Sequence, residues 1–541
     1  MLKKILNFQT KTIGAAALII AFANLLSRFL GIWRDRMLAG TFGAGDELDI
    51  YYAAFLIPDL IFHLLVVGGL SASFIPIFLE YRQKSDEEKT DEHWQIAGNV
   101  LNLTVAAVFL LALAAFFLMP WLIQVITPGF SGEKLALVVN LSRLILLSPI
   151  FLAVSNIVGG VLQGFRKFLV FSFSAIFYNL GIIFGAAVLV KFWGIYGLGW
   201  GVILGAFFHA AVQIPTLYGC GFRYQGIFNF RHPAVRQIIK MMIPRTLSLG
   251  AFQLNWIIMT ALASTLAAGS LAVFNLANNF QGFLVGLFGV SFATATFPVL
   301  SELGAKKDFP QFAKTLFFSF RQIVFFTLPA SVFLIVLAQP IIKIILETGS
   351  FESSAALETA STMQFFALSI FTQAAALLMV RAFFALKNTS YPFLAALITV
   401  AFNVILALLF LRPLGVKGLA LAYSGASFLN FGMLCFFFRG VAPKGFFRQF
   451  SALSVMKLIF ITAVSGLVIW LAAIFAARLF SVETWRGSAI QVCFAGFAGV
   501  VSYGFFGWLF KSEEMIDFWR ALRKIFRKKP PAPPIISLNG Q

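Results

Sequence analysis

Charge is scarce in this chain: only 11% of its 541 residues are Asp, Glu, Lys or Arg. A soluble domain carries about a quarter. Cysteine and histidine are nearly missing as well, with three and four copies. Cys220, Cys435 and Cys493 show neither disulfide nor metal spacing, and the histidines are equally dispersed, so no metal site or cofactor is expected. The sequence has no P-loop, no GxSxG elbow, no HExxH and no convincing carboxylate pair, which argues against an enzyme and against ATP-driven transport. Lys3, Lys4 and Lys11 precede an apolar segment too long for a signal peptide and without a cleavage site, so it reads as a retained first span.

What is present is hydrophobic. Apolar residues make up 60% of the chain, with 67 phenylalanines, and the mean hydropathy is +0.90. The apolar runs have helix length and do not alternate as ten-residue strands would, which disfavours an outer-membrane barrel. The expected fold is an all-α integral membrane protein with about fourteen transmembrane helices. They lie at approximately 12–33, 47–80, 95–127, 135–163, 168–192, 196–220, 238–266, 270–301, 312–346, 355–386, 391–411, 416–438, 453–478 and 487–510. Pro58 and Gly68-Gly69 mark breaks in the second.

An internal repeat organises these helices. Phe74-Ile75-Pro76-Ile77-Phe78-Leu79-Glu80 recurs as Thr296-Phe297-Pro298-Val299-Leu300-Ser301-Glu302. Asn179 has its counterpart in Asn403, and Gly194-Ile195-Tyr196-Gly197-Leu198 in Gly415-Val416-Lys417-Gly418-Leu419. Repeats of this size are a mark of two-bundle transporters. The expected organisation is an N-lobe over 1–220 (six helices), an amphipathic cytoplasmic linker over 221–240 and a C-lobe over 241–440 (six helices). Two further helices follow over 441–510, then a basic, Pro-rich cytoplasmic tail over 511–541, in which the stretch from Pro530 onward lacks the composition to pack. The stretch from Phe228 to Met242 reads as an amphipathic surface helix.

The net charge of +20 does not point to nucleic acid, because the basic residues gather in alternate loops and the tail. That is the positive-inside pattern, and it places both termini in the cytoplasm.

Charges inside the spans are the informative residues. Arg28 sits within the first apolar segment, with Arg34, Asp35 and Arg36 toward its outer end. An ionised side chain in hydrocarbon costs roughly 3 kcal/mol or more, so it faces a cavity or a partner. At 100° per residue Arg28 and Asp35 share a face, with Arg34 one residue off. Guanidinium groups beside a carboxylate suit a phosphate-bearing headgroup. For Arg34 and Arg36 snorkelling to the interface is an equal alternative. For Arg143, Arg321, Lys343 and Arg381 pairing or snorkelling is preferred. Asp49 and Asp59 are candidate partners for the first-helix arginines. For Asn403 a hydrogen bond between helices is preferred to a ligand role.

Ser27-Arg28-Phe29-Leu30-Gly31, Trp33-Arg34-Asp35, Phe42-Gly43-Ala44-Gly45 and Asp49 resemble the opening signature of the MurJ (MviN) lipid II flippases. Ile57-Pro58, Gly68-Gly69-Leu70-Ser71, Phe74 to Phe78, Leu346 to Phe351 and Phe384 to Thr389 extend the likeness over about residues 12–510. The resemblance implies a member of the multidrug/oligosaccharidyl-lipid/polysaccharide exporter superfamily, with two six-helix bundles around a V-shaped cavity and a lipid-facing groove at helices 13 and 14. It implies a transporter of lipid II in the bilayer of the bacterial cytoplasmic membrane, and the cell-wall synthesis machinery is a candidate partner. It implies a cavity containing Arg28, Arg34, Asp35 and Asp49. The chain departs from the pattern at Phe62-His63 and Asn279, where arginines are usual, at Val67 and Gly282, where acidic residues are usual, and at Met259, where some members have a sodium-binding aspartate. His63, Arg245 and Asn279 are therefore added as substrate-contact candidates. A flippase of another polyprenyl-linked glycan, an extruder-like antiporter of amphipathic cations and a non-transporting scaffold stay open as alternatives.

The loop charges generate the first prediction. A cysteine placed at Ser350 should react with an impermeant thiol reagent added outside intact cells, and one at Asp86 should not. The reverse labelling pattern would overturn the orientation.

Overall fold

The computed structural model describes residues 13–443 and 446–527, and among them there are helices and connections but no strand. In chain order the α-helices are α1 (Ile13–Phe42), α2 (Asp46–Ala54), α3 (Leu56–Phe62), α4 (Ser71–Glu88), α5 (Glu92–Ile126), α6 (Gly132–Ile145), α7 (Leu147–Gly164) and α8 (Phe168–Phe184). They continue as α9 (Val190–Trp193), α10 (Tyr196–Ala211), α11 (Ile214–Gly219), α12 (Pro233–Ser264), α13 (Ser270–Leu284), α14 (Ser291–Ala305), α15 (Phe309–Val336), α16 (Ala338–Ile345) and α17 (Ser353–Ala367). The last are α18 (Ile370–Ala385), α19 (Ser390–Leu414), α20 (Val416–Val441), α21 (Ala452–Leu479), α22 (Trp485–Leu509) and α23 (Glu513–Arg527).

Eleven continuous helical stretches among the described residues are long and apolar enough to cross a membrane, and twelve if α17 and α18, bent by 42°, count as one. The chain is thus a multi-pass, all-helical membrane protein. The expected count of fourteen also includes α1 and α12, which have 30 and 32 residues but fall outside that set. The tail from 528 onward, with its Pro-rich stretch, lies outside the described residues.

The second span breaks where expected and once more. It interrupts at Phe55, just before Ile57-Pro58, and passes through a π-helical segment at His63–Leu70 that contains Gly68-Gly69. A second π segment covers Val285–Val290, offset from the first by the same spacing as the Phe74/Thr296 repeat. Wider π turns disturb the regular ladder and collect at functional or hinge positions. The amphipathic stretch over 228–242 is not a helix of its own. Residues 222–229 have no regular secondary structure, and helix begins at Pro233, a favoured first position, and runs unbroken to Ser264. The connecting piece is fastened to α5: Asn99 exchanges hydrogen bonds with the backbone of Asn229, and Asn102 donates to the carbonyls of Gln225 and Ile227.

The chain forms two compact units, each described separately. The first comprises Met1–Phe283, Ile341–Ser369 and Ser390–Asn430; the second comprises Leu284–Pro340, Ile370–Thr389 and Phe431–Gln541. A core of the first unit gathers Phe74, Phe78, Trp94, Val158 and Val161, with Trp94 stacked on Phe165 at 5.3 Å. In the second, Val324, Phe325, Leu458 and Met515 pack together, and Arg321 meets Glu513 at 2.7 Å and Glu514 at 3.3 Å. Arg143 lies over the Phe116 ring, Arg381 over the Phe297 ring, and Lys343 pairs with Glu347. These four cations have structural partners, as preferred from the sequence.

Backbone strain follows the loop charges. Among the described residues the non-glycines with positive φ are Lys89, Arg166, Lys307, Lys387 and Lys511, each within two residues of a helix end on the basic set of connections. A left-handed conformation costs such residues roughly 1–2 kcal/mol. The alternate connections place glycine there, for example Gly194 and its repeat partner Gly415. Basic charge is kept at these turns despite the backbone cost.

The close pairing of α8 and α10 needs glycine for a different reason. A Cβ on Gly181 would lie 2.3 Å from the Gly205 Cα, and one on Gly201 would lie 2.7 Å from the Gly185 Cα. Membrane helices approach through such small-residue seams, and this one sets the positions of Asn179 and His209. Gly205→Leu should lower stability by about 1–3 kcal/mol, the range for overpacking. Thermal unfolding in detergent measures it, with Gly504→Ala, at an open position, as the unaffected control.

Candidate functional site

The first unit contains a cavity of about 950 Å³. Its wall is made largely of uncharged polar and aromatic side chains: Asn156, Asn179, Gln253, Asn255, Asn275, Asn278 and Asn279, with Tyr51, Tyr52, Tyr178, Trp256 and Tyr423. The ionisable lining residues besides the tyrosines are Arg34, Asp59, His63 and His209.

Three consecutive charged residues on α1 fan out by 100° per step. Arg34 turns into the cavity wall. Its Nε and Nη2 donate to Asp35 Oδ1 at 3.0 and 2.8 Å, and Nη1 donates to Asn179 Oδ1 at 3.3 Å. The Asp35 carboxylate is buried, and its other oxygen accepts from Asn279 Nδ2 at 2.9 Å. Asn179 in turn donates to the Ser27 carbonyl and hydroxyl. One hydrogen-bonded chain therefore ties α1, α8 and α13 together. Arg36 points elsewhere and donates to the carbonyls of Ile344 and Ile345 at 2.6 and 2.9 Å, capping the end of α16. Both arginines have hydrogen-bond partners within the protein.

The remaining candidates separate. Arg28 does not line the cavity; it is half-buried, 3.4–3.5 Å from the carbonyls of Gly282 and Phe283, with Phe283 beneath its guanidinium. Asp49 departs from the cavity expectation entirely. Its oxygens accept from the amides of Gly269 and Ala272 at 2.8 and 2.9 Å, and Lys134 approaches to 3.1 Å. It caps the start of α13, where backbone amides are unpaired. The expected pairing of Asp49 with a first-helix arginine is replaced by Lys134. His63 lines the cavity, with Nδ1 2.9 Å from the Asp59 carbonyl oxygen. Asn279 lines it too. The side chain of Arg245 lies outside the described residues.

The repeat reappears in the asparagines. Asn179 on α8 reaches α1, and Asn403 on α19 donates to Asn255 Oδ1 on α12 at 2.8 Å. Met259 is fully buried, so the position associated with sodium presents a thioether.

Sequence reasoning did not single out Tyr51, Tyr52, Tyr178, Trp256, Asn255 or His209. A signal existed for part of the wall: Asn275-x-x-Asn278-Asn279 puts three carboxamides in an apolar span, where polar groups seek a cavity or a partner. Removing Asp35 alone should be costly, because a buried guanidinium loses its carboxylate; breaking such pairs costs on the order of 3 kcal/mol. The double variant Arg34→Met/Asp35→Leu should lose clearly less than the two single changes summed. A double-mutant cycle by thermal unfolding checks this.

Comparison with known proteins supplies the lineage. The family model described as lipid II flippase MurJ matches residues 38–486. The protein described as a probable lipid II flippase MurJ from Buchnera aphidicola subsp. Acyrthosiphon pisum is 27% identical over 90% of this chain and 95% of its own length. The Vibrio cholerae one is 26% identical over 92% and 94%. A solved lipid II flippase MurJ in an inward closed conformation superposes with a TM-score of 0.75 at 25% identity, over 94% of this chain and 100% of that one. An inward-facing multidrug resistance MATE transporter shares the fold alone, with a TM-score of 0.64 at 13% identity over 77% and 96%. Matched along most of its length, the chain belongs to the lipid II flippase MurJ family.

Proposed function

We propose that the chain is a transporter that moves lipid II, an undecaprenyl-diphosphate-linked peptidoglycan precursor, from the inner to the outer leaflet of the bacterial cytoplasmic membrane. It does so by alternating access, with both termini cytoplasmic. The observation that carries the reading is the cavity with Arg34 in its wall, in a chain of membrane spans with this family membership. A guanidinium in an apolar surround offers forked donors for diphosphate oxygens. The carboxamides beside it offer donors and acceptors for sugar hydroxyls and peptide amides. Tyrosine and tryptophan rings supply flat apolar faces with a polar edge. Asp35 holds the guanidinium in place.

Within this reading Arg34, His63 and Asn279 contact the headgroup directly, with Asp35 as the residue that positions Arg34. Arg28, off the cavity wall, acts through the end of α13, and Asp49 acts through its start. Arg245 remains a candidate contact. Product lipid II would pass to the machinery that polymerises it.

Flipping of lipid II in proteoliposomes tests the assignment. Arg34→Ala should slow it by about tenfold or more, because a hydrogen bond to a charged group is worth roughly 1.5–3 kcal/mol. Arg34→Lys should recover only part of the loss, since an ammonium lacks the planar fork. Arg28→Ala should have the smaller effect. An Arg34→Ala protein with normal flipping would remove the site. Replacing sodium by choline at fixed membrane potential should leave the rate unchanged, because hard cations need several oxygen ligands and Met259 supplies none.

A further inference from the structure

His209 is the buried titratable group that the headgroup reading leaves unused. It sits on α10 and lines the cavity together with Ser155, and both of its ring nitrogens are engaged. Ser155 Oγ lies 2.5 Å from Nδ1 and Ser174 Oγ lies 3.2 Å from Nε2. Gln213 Nε2 donates to Ser155 Oγ and, at 3.0 Å, to the His209 carbonyl. Ser155, Ser174 and Gln213 are each at most 1% exposed, so their polar atoms depend on this cluster.

The hydrogen bonds fix the neutral tautomer. Ser174 spends its proton on the Phe171 carbonyl at 2.6 Å, so toward Nε2 it can only accept, and Nε2 carries the hydrogen. Nδ1 is then the bare nitrogen and accepts from the Ser155 hydroxyl. A proton added at Nδ1 reverses that bond: Nδ1–H donates to Ser155 Oγ. The displaced hydroxyl proton has a ready acceptor, the His209 carbonyl at 3.1 Å. Gln213 keeps its bonds in both states. The His209 ring nitrogens and the Ser155 hydroxyl keep partners with or without the proton, and only one hydroxyl rotates. A histidine held merely as a core hydrogen-bonding residue needs no such second acceptor.

We propose that His209 is a proton-binding site in the cavity wall through which movement of the lipid-linked substrate is coupled to protons. The coupling rests on the flippase reading; the binding site does not.

Few titratable groups surround the ring. Among the elements packed on α10, α7 and the π segment Gly185–Leu189 contribute no titratable side chain, and α8 contributes Tyr178. On α6, Lys134 is held by Asp46 and Asp49, Arg143 donates to the Phe116 carbonyl, and Glu133 is exposed. Lys191 of α9 and Tyr218 of α11 are exposed. The other charged residues of the same cavity are Arg34, Asp59 and His63.

With four histidines in the chain, ring-nitrogen NMR of the full-length, ¹⁵N-histidine-labelled protein in lipid nanodiscs resolves the site, and His209→Asn identifies its signal. The expected neutral form carries hydrogen on Nε2, and Nδ1 gains a proton reversibly on acidification. Ser155→Ala, which removes the reversible partner, should shift that titration even if His209→Asn folds poorly. In proteoliposomes at clamped potential, one proton per lipid predicts that a one-unit pH gradient changes the steady-state leaflet ratio of lipid II by up to about tenfold. His209→Asn should show no such response. A His209 signal whose Nδ1 never gains a proton over the pH range in which the protein stays folded, or a leaflet ratio unmoved by the gradient, overturns the proposal. Lipid II that is not moved at any pH, with His209 still titrating, would instead overturn the flippase reading and leave the proton site standing.

Discussion

The buried Asp35 carboxylate is the contact on which the organisation of the cavity rests. It faces Arg34 on one oxygen and Asn279 on the other, and Arg34 reaches on to Asn179. An isolated carboxylate or guanidinium inside a membrane protein is costly, and pairing with full hydrogen bonding removes much of that cost. Because the partners sit on α1, α8 and α13, satisfying the charges also fixes three helices. The same bonds leave one side of the guanidinium on the cavity wall, available to an anion.

The rest of the wall is unusually rich in carboxamides for a family whose resemblance implies a more cationic interior. Phe62-His63 and Asn279 stand at positions where arginines are usual. In the structure Asn279 is used to hold Asp35, and His63 stands at the wall with Arg34. Positive charge is thus concentrated at Arg34, while neutral donors and acceptors cover the remainder. Such a surface discriminates by hydrogen-bond geometry along a glycan or peptide more than by bulk attraction to phosphate. An acidic, aromatic cavity for amphipathic cations, an alternative left open by the sequence, fits this wall less well.

Helix irregularity has a consistent place in the architecture. The π segments His63–Leu70 and Val285–Val290 occupy equivalent repeat positions, each followed by the Pro-containing motif that revealed the repeat. The α8/α10 glycine seam makes a close pairing that carries Asn179 and His209, and it too runs into a π segment, Gly185–Leu189.

Much of this was legible in the sequence. Hydropathy and the length of the apolar runs determined the membrane class and the helical content, because each depends on patterns spread over many residues. The cost of charge in hydrocarbon marked Arg34 and Asp35 as residues needing partners. What it could not determine was the partner. Asp49 and Asp35 are both acids near the same end of α1, yet Asp49 caps α13 and pairs with Lys134 while Asp35 holds Arg34. Arg28, the deepest arginine in the sequence reading, rests on backbone carbonyls away from the cavity, whereas Arg34, one position off the expected face, enters it. The amphipathic stretch merged into α12, which runs on through Pro244 and Gly250 despite the low helix propensity of both residues. His209 went unnoticed, since a lone histidine in an apolar run carries no pattern. Spacing along one helix gives the direction of a side chain; which helix lies in that direction is decided only when the chain packs.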